Sequence, residues 1–443
     1  MSGKHILLKG AFVLTLTGFA TRFMGFFYRI FLSRAFGEEG VGLYQLVFPV
    51  YALCFSLTCA GIETAISRCV AKKTVTGQPK EALGLLYTGL FLTLTASCCA
   101  TLFLQNFAGW IADVFLQEPR CSHLLVILSY AFPFAAAHSC IVGYYLGQKA
   151  TRIPASSQLV EQTVRILSVY LLYQIGAKNG ASFGISVAVA GLAAGELASS
   201  AFCLRAVLRE VPRKSRSRLR FFSFFKYARE LLTFSLPLTA NRVLLNILQS
   251  AEAISIPLRL QIYGMSSKEA LSAYGVLTGM ALPCVLFPSA ITNSLSTMLL
   301  PTVAEIQAAD NRKALSGIIQ KSVYSCVFMG SVCCVALLCF GQWLGVLLFD
   351  SSLAGDFIVT LAWICPFLYA GSTLISILNG LGKTALSFLI NAGSLTVRIG
   401  SVFFLIPVFG IQGYLWGLLA SQVCVFVFCG VYLYIWIRSE TPL

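Results

Sequence analysis

Long apolar runs recur about twelve times along this chain, and nothing else in the sequence narrows its fold as much. Crossing the hydrocarbon of a bilayer as an α-helix takes about 20 mostly apolar residues. Candidate spans fall near residues 8–33, 42–67, 83–104, 123–147, 155–175, 182–206, 230–257, 271–299, 317–348, 357–380, 385–408 and 412–437. The 317–348 run is long enough to tilt or to continue along the interface. Soluble domains carry about 25% charged residues. This chain carries 11%, with 57% hydrophobic residues and a mean hydropathy of +0.81. It cannot cover itself with a water-compatible surface. The expected fold class is an all-α polytopic membrane protein with about twelve transmembrane helices.

The net charge of +15 gathers in alternate loops. One set holds Lys4; Arg68, Lys72, Lys73 and Lys80; Lys149 and Arg152; Arg312 and Lys313; Lys383; and Arg438. The opposite set is mostly acidic, with Glu38, Glu39, Asp113, Glu118, Asp350 and Asp356 against Arg34, Arg120, Lys178, Arg259 and Lys268. Cytoplasmic loops carry the Lys/Arg excess. Both termini are therefore expected in the cytoplasm, with the chain in the cell membrane. The densest basic stretch, Arg205 to Glu230, reads as a linker resting on anionic lipid headgroups, with Phe221, Phe222, Phe224 and Phe225 entering the interface. A nucleic-acid site there is the weaker alternative, and no nucleic-acid partner is expected. The first apolar run is too long for a cleavable signal peptide and lacks an A-x-A site.

The linker joins two repeats. An offset of 233 residues carries Pro133 onto Pro366, Gly147 onto Gly380, Gly180 onto Gly413 and Gly184 onto Gly417. In the same register TVRILSV (Thr163 to Val169) meets TVRIGSV (Thr396 to Val402), six identities in seven. Repeats of six helices share one orientation, related by an axis along the membrane normal. The expected organisation is a lobe at 1–208, a linker at 209–229 and a lobe at 230–443, the lobes facing each other.

A charge at the bilayer centre costs about 2.5–3.5 kcal/mol on insertion scales. Arg22 and Arg242 fall mid-way along the first and seventh spans, the opening helix of each lobe. Arg29 follows Arg22 by seven residues, on nearly the same helical face. None of the three has an acid within one turn, so the favoured reading is that they line a wet cavity, with Asn241 beside Arg242. Pairing with Glu63 or Glu252 on other helices is the alternative. Arg165 lies four residues after Glu161, a favourable ion-pair spacing; it either pins its helix or serves the cavity. Arg398 has Ser394 in the matching place and stays open between the same roles. Glu252 is a further candidate for proton coupling.

Pro49, Pro237, Pro283 and Pro288 interrupt apolar helices, most densely in the seventh and eighth spans, where gates and sites are expected. His138 reads as a hydrogen-bonded interior residue. The sixteen cysteines lie mostly in apolar runs without metal-ligand spacing. No P-loop, DxD-like cluster or nucleophile–base arrangement is evident, so no enzyme, cofactor or metal is expected.

The segments TGFATRFMGFFYRIFLSRAFGEEGVGLYQLVFPVYAL, AGIETAISRCVAKK, SSQLVEQTVRI, FSLPLTANRVL, YGVLTGMALPCVLFPSAITNSLSTMLLPTVAE and ILNGLGKT resemble the stage V sporulation protein B family. The resemblance runs from about residue 5 to 435. It implies the multidrug/oligosaccharidyl-lipid/polysaccharide exporter superfamily, beside the MurJ-type lipid II flippases. The implied activity is alternating-access export of an undecaprenyl-pyrophosphate-linked saccharide for cell wall or spore cortex. Membrane lipids and cell-wall synthesis proteins are the implied partners. Thr21, Arg22, Gly25 and Phe26 resemble the SR-x-x-GF segment of the MurJ-type flippases, whose arginine lines the central cavity; Arg29 is a near match. Many relatives have fourteen helices rather than twelve. An arginine fork suits pyrophosphate oxygens better than a lysine does, so Arg22, Arg29 and Arg242 are expected to hold that group. Two other readings compete. A cation-coupled multidrug or metabolite antiporter would want an acidic cavity, and a non-transporting scaffold would need no mid-membrane arginine.

Overall fold

The computed structural model describes residues 3–178, 184–210, 221–308 and 312–439. In chain order the helices are α1 (Gly3–Phe55), α2 (Gly61–Val75), α3 (Pro79–Trp110), α4 (Cys121–Ser129), α5 (Ala131–Gly147), α6 (Arg152–Lys178), α7 (Ser186–Glu210) and α8 (Phe221–Tyr263). Then come α9 (Ser267–Gly275), α10 (Leu282–Leu286), α11 (Ser289–Ala308), α12 (Arg312–Phe349), α13 (Ser352–Ala362), α14 (Cys365–Gly380), α15 (Thr384–Phe404), α16 (Ile406–Phe409) and α17 (Ile411–Ser439). Short π-helical turns follow α1 (Ser56–Ala60), α3 (Ile111–Phe115) and α9 (Val276–Ala281). No strand occurs among the described residues.

Eight stretches are long and apolar enough to cross a membrane, or ten when the bent pairs α4–α5 (42°) and α13–α14 (57°) each count as one span. The first stretch, Phe12–Val75, is 64 residues long and holds two of the expected spans. Gly37 separates them at φ 69°, a backbone state that costs glycine nothing and a side-chain-bearing residue about 1 kcal/mol or more. The helix α6 is long enough at 27 residues but carries Glu161, Gln162 and Arg165 mid-way, which removes it from the apolar set. The other expected spans have a helix or helix pair, but the expected span 271–299 is divided: Ser267–Leu286 forms one apolar stretch, the helix breaks at Phe287 and Pro288, and α11 starts anew at Ser289. Local signals set several ends: Ser266 and Glu269 form a reciprocal cap on α9, and the Ser351 hydroxyl accepts from Ala354 N at 3.1 Å ahead of α13. Pro79 opens α3, and Pro283 sits at the start of α10 directly after a π-helical turn.

The chain clusters into two compact units. Unit 1 comprises Met1–Tyr28 and Leu43–Ser250; unit 2 comprises Arg29–Gly42 and Ala251–Leu443. The core of unit 1 joins α2, α3, α5, α7 and α8 through Ile66, Val70, Leu85, Leu86, Tyr145, Cys203 and Leu231. The core of unit 2 joins α11, α12, α14 and α17 through Val303, Ile319, Ile377, Leu378 and Cys429. Large apolar side chains also point outward, among them Phe12, Tyr324, Phe328, Phe404 and Phe428. On a soluble chain such a surface would drive association; on membrane-length helices it is the lipid face. Within the basic linker, residues 211–220 lie outside the described residues, while Phe225 is exposed and Phe224 meets Phe91 edge-on at 5.3 Å.

Candidate functional site

Unit 1 holds six of the residues singled out from sequence: Arg22, Glu63, Glu161, Arg165, Asn241 and Arg242. Arg22 is exposed on α1, with no hydrogen-bond or ion-pair partner among the described residues. Asn241 and Arg242 are likewise exposed on α8. The Arg242 guanidinium donates to the Ala60 carbonyl oxygen (2.9 Å) and to Thr64 Oγ1 (3.2 Å). Ala60 closes a π-helical turn, where the shifted bonding register leaves carbonyls short of partners. Beside it, a Cβ on Gly61 would come within 2.8 Å of the Ser235 carbonyl oxygen, so α2 and α8 touch backbone to backbone here.

Deeper in unit 1 lies a polar cluster drawn from five helices. Glu161 and Arg165 form the expected pair on α6. His138 on α5 places Nδ1 3.3 Å from Glu196 Oε2 on α7 and 4.0 Å from Glu161 Oε2. Its Nε2 lies 3.0 Å from Ser157 Oγ on α6. Tyr51 on α1 donates its hydroxyl to Glu196 Oε1 at 3.1 Å, and Ser139 on α5 donates to Glu63 on α2 at 2.9 Å. Two glycines admit these contacts. A Cβ on Gly143 would stand 2.6 Å from the Glu63 carbonyl oxygen, and one on Gly195 2.8 Å from that of Glu161. His138 is hydrogen-bonded and interior, as expected, but its link to two carboxylates left no trace in sequence spacing. One atom from each of His138, Glu161 and Glu196 falls within a 4.8 Å group. A divalent cation there would face the Arg165 guanidinium already bound to Glu161.

Unit 2 holds Arg29, Glu252 and Arg398. Arg29 donates from Nη1 to the Thr278 carbonyl oxygen at 3.1 Å, inside the π-helical turn Val276–Ala281. Arg398 donates from Nε to Glu252 Oε1 at 2.7 Å, and Tyr414 donates its hydroxyl to the same oxygen at 2.7 Å. The repeated TVRI arginines therefore both meet a carboxylate. Arg165 finds it one turn away, Arg398 on α8, 146 residues away in sequence. Of the two acids considered as partners for these arginines, Glu252 binds Arg398 and Glu63 accepts from Ser139.

Membrane-length helices around internal arginine–carboxylate pairs define an α-helical, multi-pass membrane protein of two compact units. Its fold matches that of a structure described as lipid II flippase MurJ in an inward closed conformation, at TM-score 0.74 with 12% identity, covering 96% of this chain and 87% of that one. An inward-facing multidrug resistance MATE family transporter of the MOP superfamily matches at TM-score 0.70 with 14% identity and 99% of both chains covered. In sequence the chain is 29% identical over 428 residues to stage V sporulation protein B of Bacillus subtilis (strain 168), covering 95% of this chain and 82% of that protein. Residues 7–307 match the polysaccharide biosynthesis protein family, and the chain belongs to it.

Proposed function

We propose that this protein is a flippase that moves an undecaprenyl-pyrophosphate-linked saccharide, of the lipid II kind, across the cytoplasmic membrane for cell-wall or spore-cortex synthesis. The lobes at 1–208 and 230–443, joined by the basic linker 209–229, alternate access, with both termini in the cytoplasm. Arg22, Arg29, Arg242 and Asn241 hold the pyrophosphate while the lipid tail stays in the bilayer. The observation that carries this reading is Arg22: an exposed guanidinium half-way along a spanning helix, without a protein partner among the described residues. A charge in that position is retained at a cost of several kcal/mol unless it meets water or an anion. A lipid-linked pyrophosphate supplies that anion, and a cationic drug does not. The similarity to stage V sporulation protein B and the shared fold with a lipid II flippase support the same cargo class.

A lipid II accessibility assay, in cells depleted of their own flippase, tests the reading. Expression of this protein is expected to restore outward exposure of the lipid. Arg22→Ala is expected to cut it about tenfold or more, the loss of one charge-assisted contact of about 1.5–3 kcal/mol. No restoration by correctly inserted protein sinks the lipid II assignment. Full activity of both Arg22→Ala and Arg242→Ala sinks the arginine assignment alone.

A further inference from the structure

We propose that α6 carries a subsite for the saccharide of the cargo, made by the side-chain amides of Gln158 and Gln162; this rests on the reading of the cargo as a lipid-linked pyrophosphate. Both residues lie in the first half of a 27-residue helix of membrane length. Gln158 is exposed and has no hydrogen-bond partner among the described residues. Gln162 is partly buried and has one, Arg165, which donates from Nη1 to Oε1 at 3.5 Å. A guanidinium has no acceptor, so the atom facing it must be the amide oxygen, and the two N–H donors point away from Arg165. That amide nitrogen lies against α1: a Cβ on Gly25 would stand 3.4 Å from Gln162 Nε2. Gly25 is about one turn beyond Arg22 on the same helix. The donors of α6 and the unpartnered guanidinium of α1 therefore share one region of unit 1.

The lipid face of α6 lies elsewhere. Helix residues advance about 100° each, which sets Leu167 and Leu171 about 140° and 180° around the helix from Gln162. Both leucines are more than half exposed. An amide without a partner is costly in hydrocarbon, and these two are turned from it toward Arg22. The repeat supplies the contrast. At the offset of 233 residues Gln158 falls on Asn391 and Gln162 on Leu395. Asn391 donates its amide to the Ser387 carbonyl oxygen of its own helix at 3.0 Å, and Leu395 is buried. The arginine of the TVRI segment recurs in both halves, whereas the unbonded amide pair stands in unit 1 alone. Its chemistry fits a sugar. A primary amide offers donors and an acceptor, the complement of hydroxyl and acetamido groups, while a guanidinium suits phosphate oxygens. Arg22 takes the charge, and the amides take the sugar joined to it. A site built to hydrogen-bond a hydroxyl rejects a ligand that lacks it.

The test measures binding of two probes to the full-length protein in lipid nanodiscs by native mass spectrometry. One probe is lipid II; the other is undecaprenyl pyrophosphate, which has the tail and the pyrophosphate but no sugar. The unsubstituted protein is expected to bind lipid II about tenfold more tightly, the worth of two neutral hydrogen bonds. Gln158→Met/Gln162→Met is expected to abolish that preference without loss of undecaprenyl pyrophosphate binding. Gln158→Met alone, at an exposed position, is expected to lose part of it, which guards against a folding defect in the double variant. Arg22→Ala is expected to weaken both probes, and Asn391→Leu to keep the preference. A double variant that retains the preference overturns the subsite. So does one that loses both probes by the same factor while Gln158→Met keeps the full preference. Equal binding of the two probes by the unsubstituted protein overturns the subsite and leaves the flippase reading standing; binding of neither overturns both.

Discussion

Glu252 is almost completely buried, and its carboxylate has two donors, Arg398 and Tyr414. Removing Arg398 alone would strand a charge away from water, a loss of about 3–5 kcal/mol. Replacing both members by apolar or neutral groups of similar size removes the charge together with its partner and is far better tolerated. Arg398→Met is therefore expected to lower thermal stability in detergent sharply, and Glu252→Gln/Arg398→Met to recover most of the loss. Equal stability of the single and double variants would show that the pair is not what holds α8 to α15. The sister residue was legible and this one was not. Glu161 precedes Arg165 by four on one helix, a spacing visible in sequence. The acid for Arg398 comes from a helix 146 residues earlier, and only the fold brings it there.

At the level of helices, two arginines each also bond a carbonyl of a π-helical turn. Arg242 on α8 bonds the last carbonyl of the π-helical turn Ser56–Ala60, and Arg29 on α1 bonds a carbonyl inside Val276–Ala281. A guanidinium–carbonyl bond is worth about 1.5–3 kcal/mol. Arg29→Ala should accordingly speed backbone hydrogen exchange across 276–281, and Arg242→Ala across 56–60, by about ten- to a hundredfold. Unchanged exchange in those turns would mean that the arginines do not stabilise them. The spans themselves were plain from apolar run length, because a bilayer fixes how long a helix must be. The π-helical turns were not, since a one-residue change of hydrogen-bond register leaves no mark on hydropathy. The prolines near them, Pro49 and Pro283, pointed to interruption without saying of which kind.

For the whole chain, the repeat and the compact units divide the sequence differently, and the difference has a consequence. The repeat breaks the chain at the basic linker, but unit 1 includes the end of that linker and 230–250 beyond it, and unit 2 includes 29–42 from before it. Repeat signals report ancestry of segments, whereas compactness reports which surfaces are filled, and filling is invisible in a sequence register. In unit 1 the borrowed piece is part of the core: Leu231 and Tyr227 pack with Ile66, Leu85 and Leu86. The Tyr227 ring lies where a Cβ on Gly84 would come within 2.5 Å of it, so the glycine and the aromatic ring are matched. Lipid tails are as apolar as the missing leucine, so the loss on removing 221–250 is one of packing and of the Arg242 bonds, not of hydrophobic burial. A chain ending at Glu210 should therefore insert but remain loosely packed, and be degraded several-fold faster than the full protein. Co-expression with a second chain beginning at Phe221 should restore it, and pull-down on one half should recover the other. A first half that is as long-lived alone as with its partner would show that unit 1 is complete without α8.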